Sequence, residues 1–150
     1  MRTIAALGLL LGSLAMPAAG QTKEVIQMPG APPGLPFSSA VRVGDLLFLS
    51  GQIGNLPGTL TLAEGGIQAE TRQTMENITG VLEHAGSSMD RVVKCTVFLA
   101  DMAEWPAMNE VYRTYFPQDP PARSAMGVNG LALGARVEIE CIALAGAGTR

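Results

Sequence analysis

A chain of 150 residues, 47% hydrophobic and 15% charged, has the length of one domain and enough apolar residues to build a core. Its formal charge of −3 leaves no basic footprint for nucleic acid. One histidine, His84, and two cysteines with no CxxC spacing leave no ligand set for a metal.

The first residues stand apart from the core. Arg2 precedes the almost wholly apolar run from Ile4 to Met16, and the small residues Pro17-Ala18-Ala19-Gly20 follow. That is the layout of a secretory signal peptide cleaved after Ala19 or Gly20, and the run is short for a membrane span. An uncleaved N-terminal helix is the alternative. The expected organisation is a removed segment 1–20 and a single domain 21–150, in the periplasm or secreted. Export implies an oxidising compartment, where Cys95 and Cys141 could pair. Both lie in apolar strand-like runs, so two buried free thiols are the favoured reading.

Glu24 to Gln27 is a possible short strand before a loop rich in proline and glycine. Ser39–Val43 and Leu46–Ser50 flank Gly44-Asp45, a hairpin signal. Gly51 to Gly66, with five glycines and Pro57, reads as loop. Ile67 to Ala85 carries Ile67, Thr71, Met75, Ile78, Leu82 and Ala85 at helical spacing and stops at Gly86, while Glu70, Arg72, Gln73, Glu76 and Glu83 populate its other faces. Val92–Leu99 reads as a buried strand. Pro106 opens a second helix with Met108, Val111, Tyr112 and Tyr115 on its apolar side. Pro117 to Pro121 ends it and stiffens the connection. Ala125–Val128 and Val137–Leu144 are the last strands, and Gly146–Arg150 is a tail. This order predicts an α+β sheet with two helices on one face. Residues Leu46 to Leu49 are apolar on both faces of their strand, which predicts a closed homo-oligomer covering the other side.

The chemistry concentrates late in the chain. Pro120-Pro121 delivers Arg123, whose planar fork suits a carboxylate; a surface or intersubunit salt bridge is the plainer role. Glu138 and Glu140 share one strand face, opposite Val137, Ile139, Cys141 and Ala143. That face is solvated, or it is a site if Arg123 joins it from a neighbouring strand or a second subunit. Asn109 on the second helix is an exposed residue or a ligand contact. Phe37 and Tyr112 wall a pocket or simply pack. Ser50-Gly51 after a strand permits close backbone approach to a ligand. No GxSxG, Walker or GxGxxG motif is present.

Phe37-Ser38-Ser39-Ala40-Val41, Leu46 to Ile53, Gln68 to Ile78, Val92 to Leu99, Met108-Asn109-Glu110-Val111-Tyr112, Pro121-Ala122-Arg123-Ser124 and Val137 to Ala143 together resemble the RidA (YjgF) family of enamine/imine deaminases, over essentially all of Phe37 to Leu144. The resemblance implies a chorismate-mutase-like α+β fold and a homotrimer whose sheets close a central barrel, with clefts between subunits. It implies a 2-iminobutanoate/2-iminopropanoate deaminase-like hydrolase that turns 2-enamino or 2-imino acids into 2-keto acids and ammonia. On this resemblance Arg123 holds the substrate carboxylate and Glu138 handles water and protons. Asn109 shapes the cleft, and backbone near Gly51 and Ala125 contacts ligand. Phe37 replaces a family tyrosine and Ala125 a frequent cysteine, so the pocket is more apolar. No cofactor is implied. The expected partners are an imino or keto acid and copies of the same chain, with no nucleic acid and no membrane once the signal is removed. The alternatives are a non-catalytic binder of small carboxylates or a holdase-like protein of the same fold. Ribonuclease activity has been attached to some relatives, but the acidity of this chain and its lone His84 give no physical reason to expect it here.

Overall fold

The computed structural model describes residues 22–146, so the expected signal segment and most of the expected tail lie outside the described residues. The elements are β1 (Lys23–Ile26), β2 (Ala40–Val43), β3 (Leu46–Leu49), β4 (Gln52–Ile53), α1 (Gly66–His84), β5 (Val92–Leu99), α2 (Trp105–Tyr112), β6 (Ala122–Gly127) and β7 (Val137–Leu144). They form one mixed sheet in the order β1-β2-β3-β7-β5-β6, with β4 also on β7. Only β5 and β6 run parallel. Parallel strands need a crossover, and α2 supplies it. This is the expected α+β arrangement.

Both helices cover one face. Ile67, Met75, Ile78 and Leu82 of α1 and Met108 of α2 join Val97, Leu99, Val137 and Ile139 of the sheet in one buried cluster. Alternation along β7 is regular: Val137, Ile139, Cys141 and Ala143 are buried, and the residues between them face the uncovered side. Glu70 departs from the reading that set it on an outer face of α1, for it is only 5% exposed. Its carboxylate accepts the backbone N–H of Arg136 at 2.8 Å, and the Arg136 guanidinium reaches on to Glu104 at 2.5 Å. A buried acid needs such donors, and these tie α1 to the start of β7 and the loop before α2.

Cys95 and Cys141 are a disulfide rather than free thiols. The pairing of β5 with β7 sets the two residues directly opposite one another, with Cα atoms 4.1 Å apart and both side chains on the core face. Closely spaced antiparallel partners of this kind bring their side chains together. Closing a loop of 46 residues restricts the unfolded chain by about 4 kcal/mol in the chain-entropy account. Reduction, or Cys95→Ala with Cys141→Ala, is therefore expected to lower the free energy of unfolding by roughly 2–5 kcal/mol, measured by denaturant titration.

Two further details shape the site. Phe48 pairs with Ile142 of β7, whereas Gln52 pairs with Ile139, so one extra residue is inserted between β3 and β4. This bulge at Ser50-Gly51 re-aims the chain, as bulges beside sites commonly do. The stretch read as loop from Gly51 thus contains β4, a strand too short to show periodicity. Strand β6 begins at Ala122 rather than Ala125. Pro121 biases its predecessor toward extended backbone, and pairing with β5 starts at once with Lys94↔Ala122.

Candidate functional site

Arg123 lies in the edge strand β6, level with Cys95 of β5 and on the helix-covered side. Its guanidinium sits over the ring of Tyr112, 4.6 Å from the centroid. Among the described residues it has no carboxylate partner and donates no hydrogen bond; the ion pairs present are those of Arg136. Tyr112 is 6% exposed and packs against Phe116 with ring centroids 5.0 Å apart, and its hydroxyl has no hydrogen-bond partner among the described residues. Burial pushes its pKa up to about 12, partly offset by the charge of Arg123. Asn109 is half-buried one helical turn before Tyr112, and its carbonyl accepts from Nε of Arg113. Ala125 lies two residues beyond Arg123 on the same strand face, opposite Val97. Arg123, Tyr112, Asn109 and Ala125 make one group.

Glu138 belongs to another. It lies on the uncovered face of β7, paired with Phe98 and Ile53. Burial holds its carboxyl above the ordinary value of 4.5, and neighbouring Glu140 raises it further. Its carboxyl crowds the space over Gly51: a Cβ built on Gly51 would clash with Oε1 and lie 2.8 Å from Cδ. Gln52 stiffens this turn by donating from Nε2 to the carbonyls of Ser50 and Gly51, at 3.1 and 3.3 Å. The hydroxyl of Ser50 donates to the carbonyl of Ser38 at 2.7 Å, which ties the loop of Phe37 to this end of β3. The Phe37 ring is 54% exposed.

The two groups do not meet within one chain. Strand β5 separates β6 from β7, so Arg123 is not on a strand neighbouring Glu138. Arg123 is level with Cys141, and Glu138 is three residues away along β7 on the opposite face. That amounts to roughly 10 Å across the sheet and about as much along it. A depression of about 190 Å³ in the uncovered face, lined by Phe48, Lys94, Thr96, Glu140 and Ile142, includes neither residue. No group of three potential metal ligands converges among the described residues. Sequence reasoning assigned Tyr112 to a pocket wall or to packing and did not connect it to Arg123. Gln52 lies within the family-like block Leu46 to Ile53, but its hold on the Ser50 and Gly51 carbonyls has no local signal in the sequence, nor has the contact of Tyr112 with Arg123.

The family described as Endoribonuclease L-PSP matches residues 28–145. The chain is 42% identical to a 2-iminobutanoate/2-iminopropanoate deaminase of Mus musculus, over 83% of this chain and 93% of that one. It is 40% identical to Reactive Intermediate Deaminase A, chloroplastic, of Arabidopsis thaliana, over 87% of this chain and 71% of that one. Among solved structures, RidA from an Antarctic Psychrobacter superposes with a TM-score of 0.75 at 39% identity, covering 81% of this chain and 98% of that one. Matched in sequence over residues 28–145 and in backbone course over 81% of its length, the chain belongs to the RidA family.

Proposed function

We propose that the protein hydrolyses 2-imino and 2-enamino acids to 2-keto acids and ammonia. The reading is carried by Arg123, a half-buried cation with its N–H fork unspent, together with Glu138, a carboxyl whose pKa is raised toward neutrality. The likeness to proteins named 2-iminobutanoate/2-iminopropanoate deaminase supports it. Arg123 takes the substrate carboxylate in a bidentate, charge-assisted contact. The protonated imine is itself electrophilic, so no outside electron sink is required. Glu138 accepts a proton as water oxygen bonds to C2 and the C=N electron pair moves to nitrogen. It returns that proton to nitrogen; as the C–N bond breaks, an oxygen lone pair closes the C=O bond, the hydroxyl proton passes to the freed Glu138 carboxylate and on to solvent, and ammonia leaves the keto acid. Phe37 and Ala125 add no polar side-chain group, which favours apolar side chains on the substrate.

The reading includes a homotrimer with each cleft shared between subunits. Its support is the placement of Arg123 and Glu138 on opposite faces, and the exposed apolar residues Leu46, Phe48 and Leu144 at 37%, 42% and 41% on the uncovered face. It also includes export, which the Cys95–Cys141 disulfide supports because such bonds persist in oxidising compartments.

The test is ammonia release from freshly generated 2-iminobutanoate. Arg123→Ala is expected to reduce kcat/KM by about 10- to 150-fold, the loss of one charge-assisted contact. Arg123→Lys recovers little of it, because the fork is lost. Unchanged rates in both variants would sink the assignment. Co-refolding equal amounts of Arg123→Ala and Glu138→Ala chains is expected to restore about one quarter of parental activity, since each shared cleft then has that chance of receiving both intact residues. No recovery would place both groups in clefts within single chains, or neither in a cleft.

A further inference from the structure

We propose that Tyr112 is the positioning residue for Arg123: its buried ring face holds the guanidinium in place while leaving every N–H free for a carboxylate. The inference rests on the reading of Arg123 as the carboxylate holder. An arginine on an edge strand has many accessible rotamers, and ordering it only on binding weakens the bound state. A carboxylate neighbour could order it, but would occupy the same fork that the substrate needs. An aromatic face avoids that conflict. Its attraction is electrostatic, between the ring face and a guanidinium carbon 4.6 Å from the centroid, and it uses no N–H as a hydrogen-bond donor to an oxygen.

The surroundings suit this role. Tyr112 cannot easily follow the arginine, for it is 6% exposed, packed against the tilted ring of Phe116, and carried by a helix whose Met108 is fully buried. The other end of Arg123 is equally fixed. Its backbone is in register with Cys95, which is bonded to Cys141 of the next strand. With its pKa near 12, the phenol stays neutral through the working range and does not become an anion that would compete for the guanidinium. The hydroxyl has no partner among the described residues, so the ring is the part of Tyr112 that acts.

The experiment compares the parent with Tyr112→Phe, Tyr112→Leu and Tyr112→Met, and uses Arg123→Ala as reference. Binding of 2-oxobutanoate, kcat and KM on fresh 2-iminobutanoate, and the ring-current shift of the Arg123 Hδ protons are measured. Tyr112→Leu and Tyr112→Met are expected to weaken 2-oxobutanoate binding by about 3- to 30-fold, the range of a cation–π contact, with KM rising more than kcat falls. Tyr112→Phe restores binding to within about threefold of the parent and keeps the upfield Hδ shift. If Tyr112→Leu fails to fold, Tyr112→Met and the Hδ shift of the parent decide the matter. Equal binding by the Phe, Leu and Met variants would overturn the inference, as would a loss in Tyr112→Phe matching that in Tyr112→Leu, or an unshifted Hδ resonance in the parent. A parent that binds 2-oxobutanoate with this dependence on Tyr112 yet releases no ammonia would sink the deaminase reading alone. A parent whose binding is indifferent to Arg123→Ala would sink both.

Discussion

Glu138→Gln is expected to lower kcat on 2-iminobutanoate by about 10²- to 10⁴-fold, the usual contribution of a positioned general base, while the protein folds at least as well near neutral pH. The amide keeps the size and shape of the carboxyl over Gly51 but can neither accept a proton from water nor return one to nitrogen. The stability half of the prediction follows from the raised pKa. In the folded chain the carboxyl binds its proton more tightly than in the unfolded chain, because burial and Glu140 disfavour its charge. Its favourable contribution is complete below the ordinary value of 4.5 and is lost as pH rises through the folded value. Above that window the ionised group burdens the fold, and glutamine does not. The difference in melting temperature between Glu138→Gln and the parent should therefore grow from about pH 4 upward and then level off. The gain is small, because the group is only half-buried and solvent screens it. The same titration places the acidic limb of the parent's kcat/KM profile above 4.5. A glutamine variant that keeps parental kcat, or that loses stability progressively toward neutral pH, would contradict the assignment.

How far these roles are legible in sequence depends on the range of the contacts. Strands β5 and β7 are read with correct bounds, because β-branched enrichment in β5 and alternation in β7 are local signals, and alternation alone puts Glu138 opposite the buried Ile139. Helix α1 is legible from its spacing to within a residue at each end. What escapes is register. Nothing near Cys95 reveals that Cys141 lies across from it, so the disulfide is invisible until β5 and β7 are paired. Strand β4 escapes because two residues have no period, and with it the bulge that sets Gly51 against Glu138. The buried Glu70 looks like any surface acid of a helix until its donor, the backbone of Arg136, is brought to it from 66 residues away. Arg123 is conspicuous after its two prolines, yet its support, Tyr112, lies on another element, and its separation from Glu138 follows only from β5 lying between them. Residue types announce the chemistry, whereas the sheet order decides which residues share a cleft.

Gly51→Ala is the complementary test, since it moves Glu138 without altering its chemistry. The alanine methyl would clash with Oε1 of Glu138, so one of the two must yield. The end of a glutamate side chain yields more readily than the backbone at a bulge, itself held by the hydrogen bonds from Gln52 and Ser50. The fold should therefore persist, with a cost of about 1–3 kcal/mol at most, typical of overpacking. The carboxyl, however, is displaced by on the order of 1 Å, and misplacement on that scale can cost about 100-fold in rate. The expected result is a folded protein with kcat reduced about 100-fold and with 2-oxobutanoate binding weakened much less, because Arg123 belongs to the other group of residues. Pairing the two substitutions separates displacement from a general defect. If Gly51→Ala acts through Glu138, adding it to Glu138→Gln should cost little further rate, since residues acting as a unit are not additive. Full additivity in that double variant would show that Gly51 serves the reaction by a route of its own, such as backbone contact with the substrate, and would remove the bulge from the account of how Glu138 is placed.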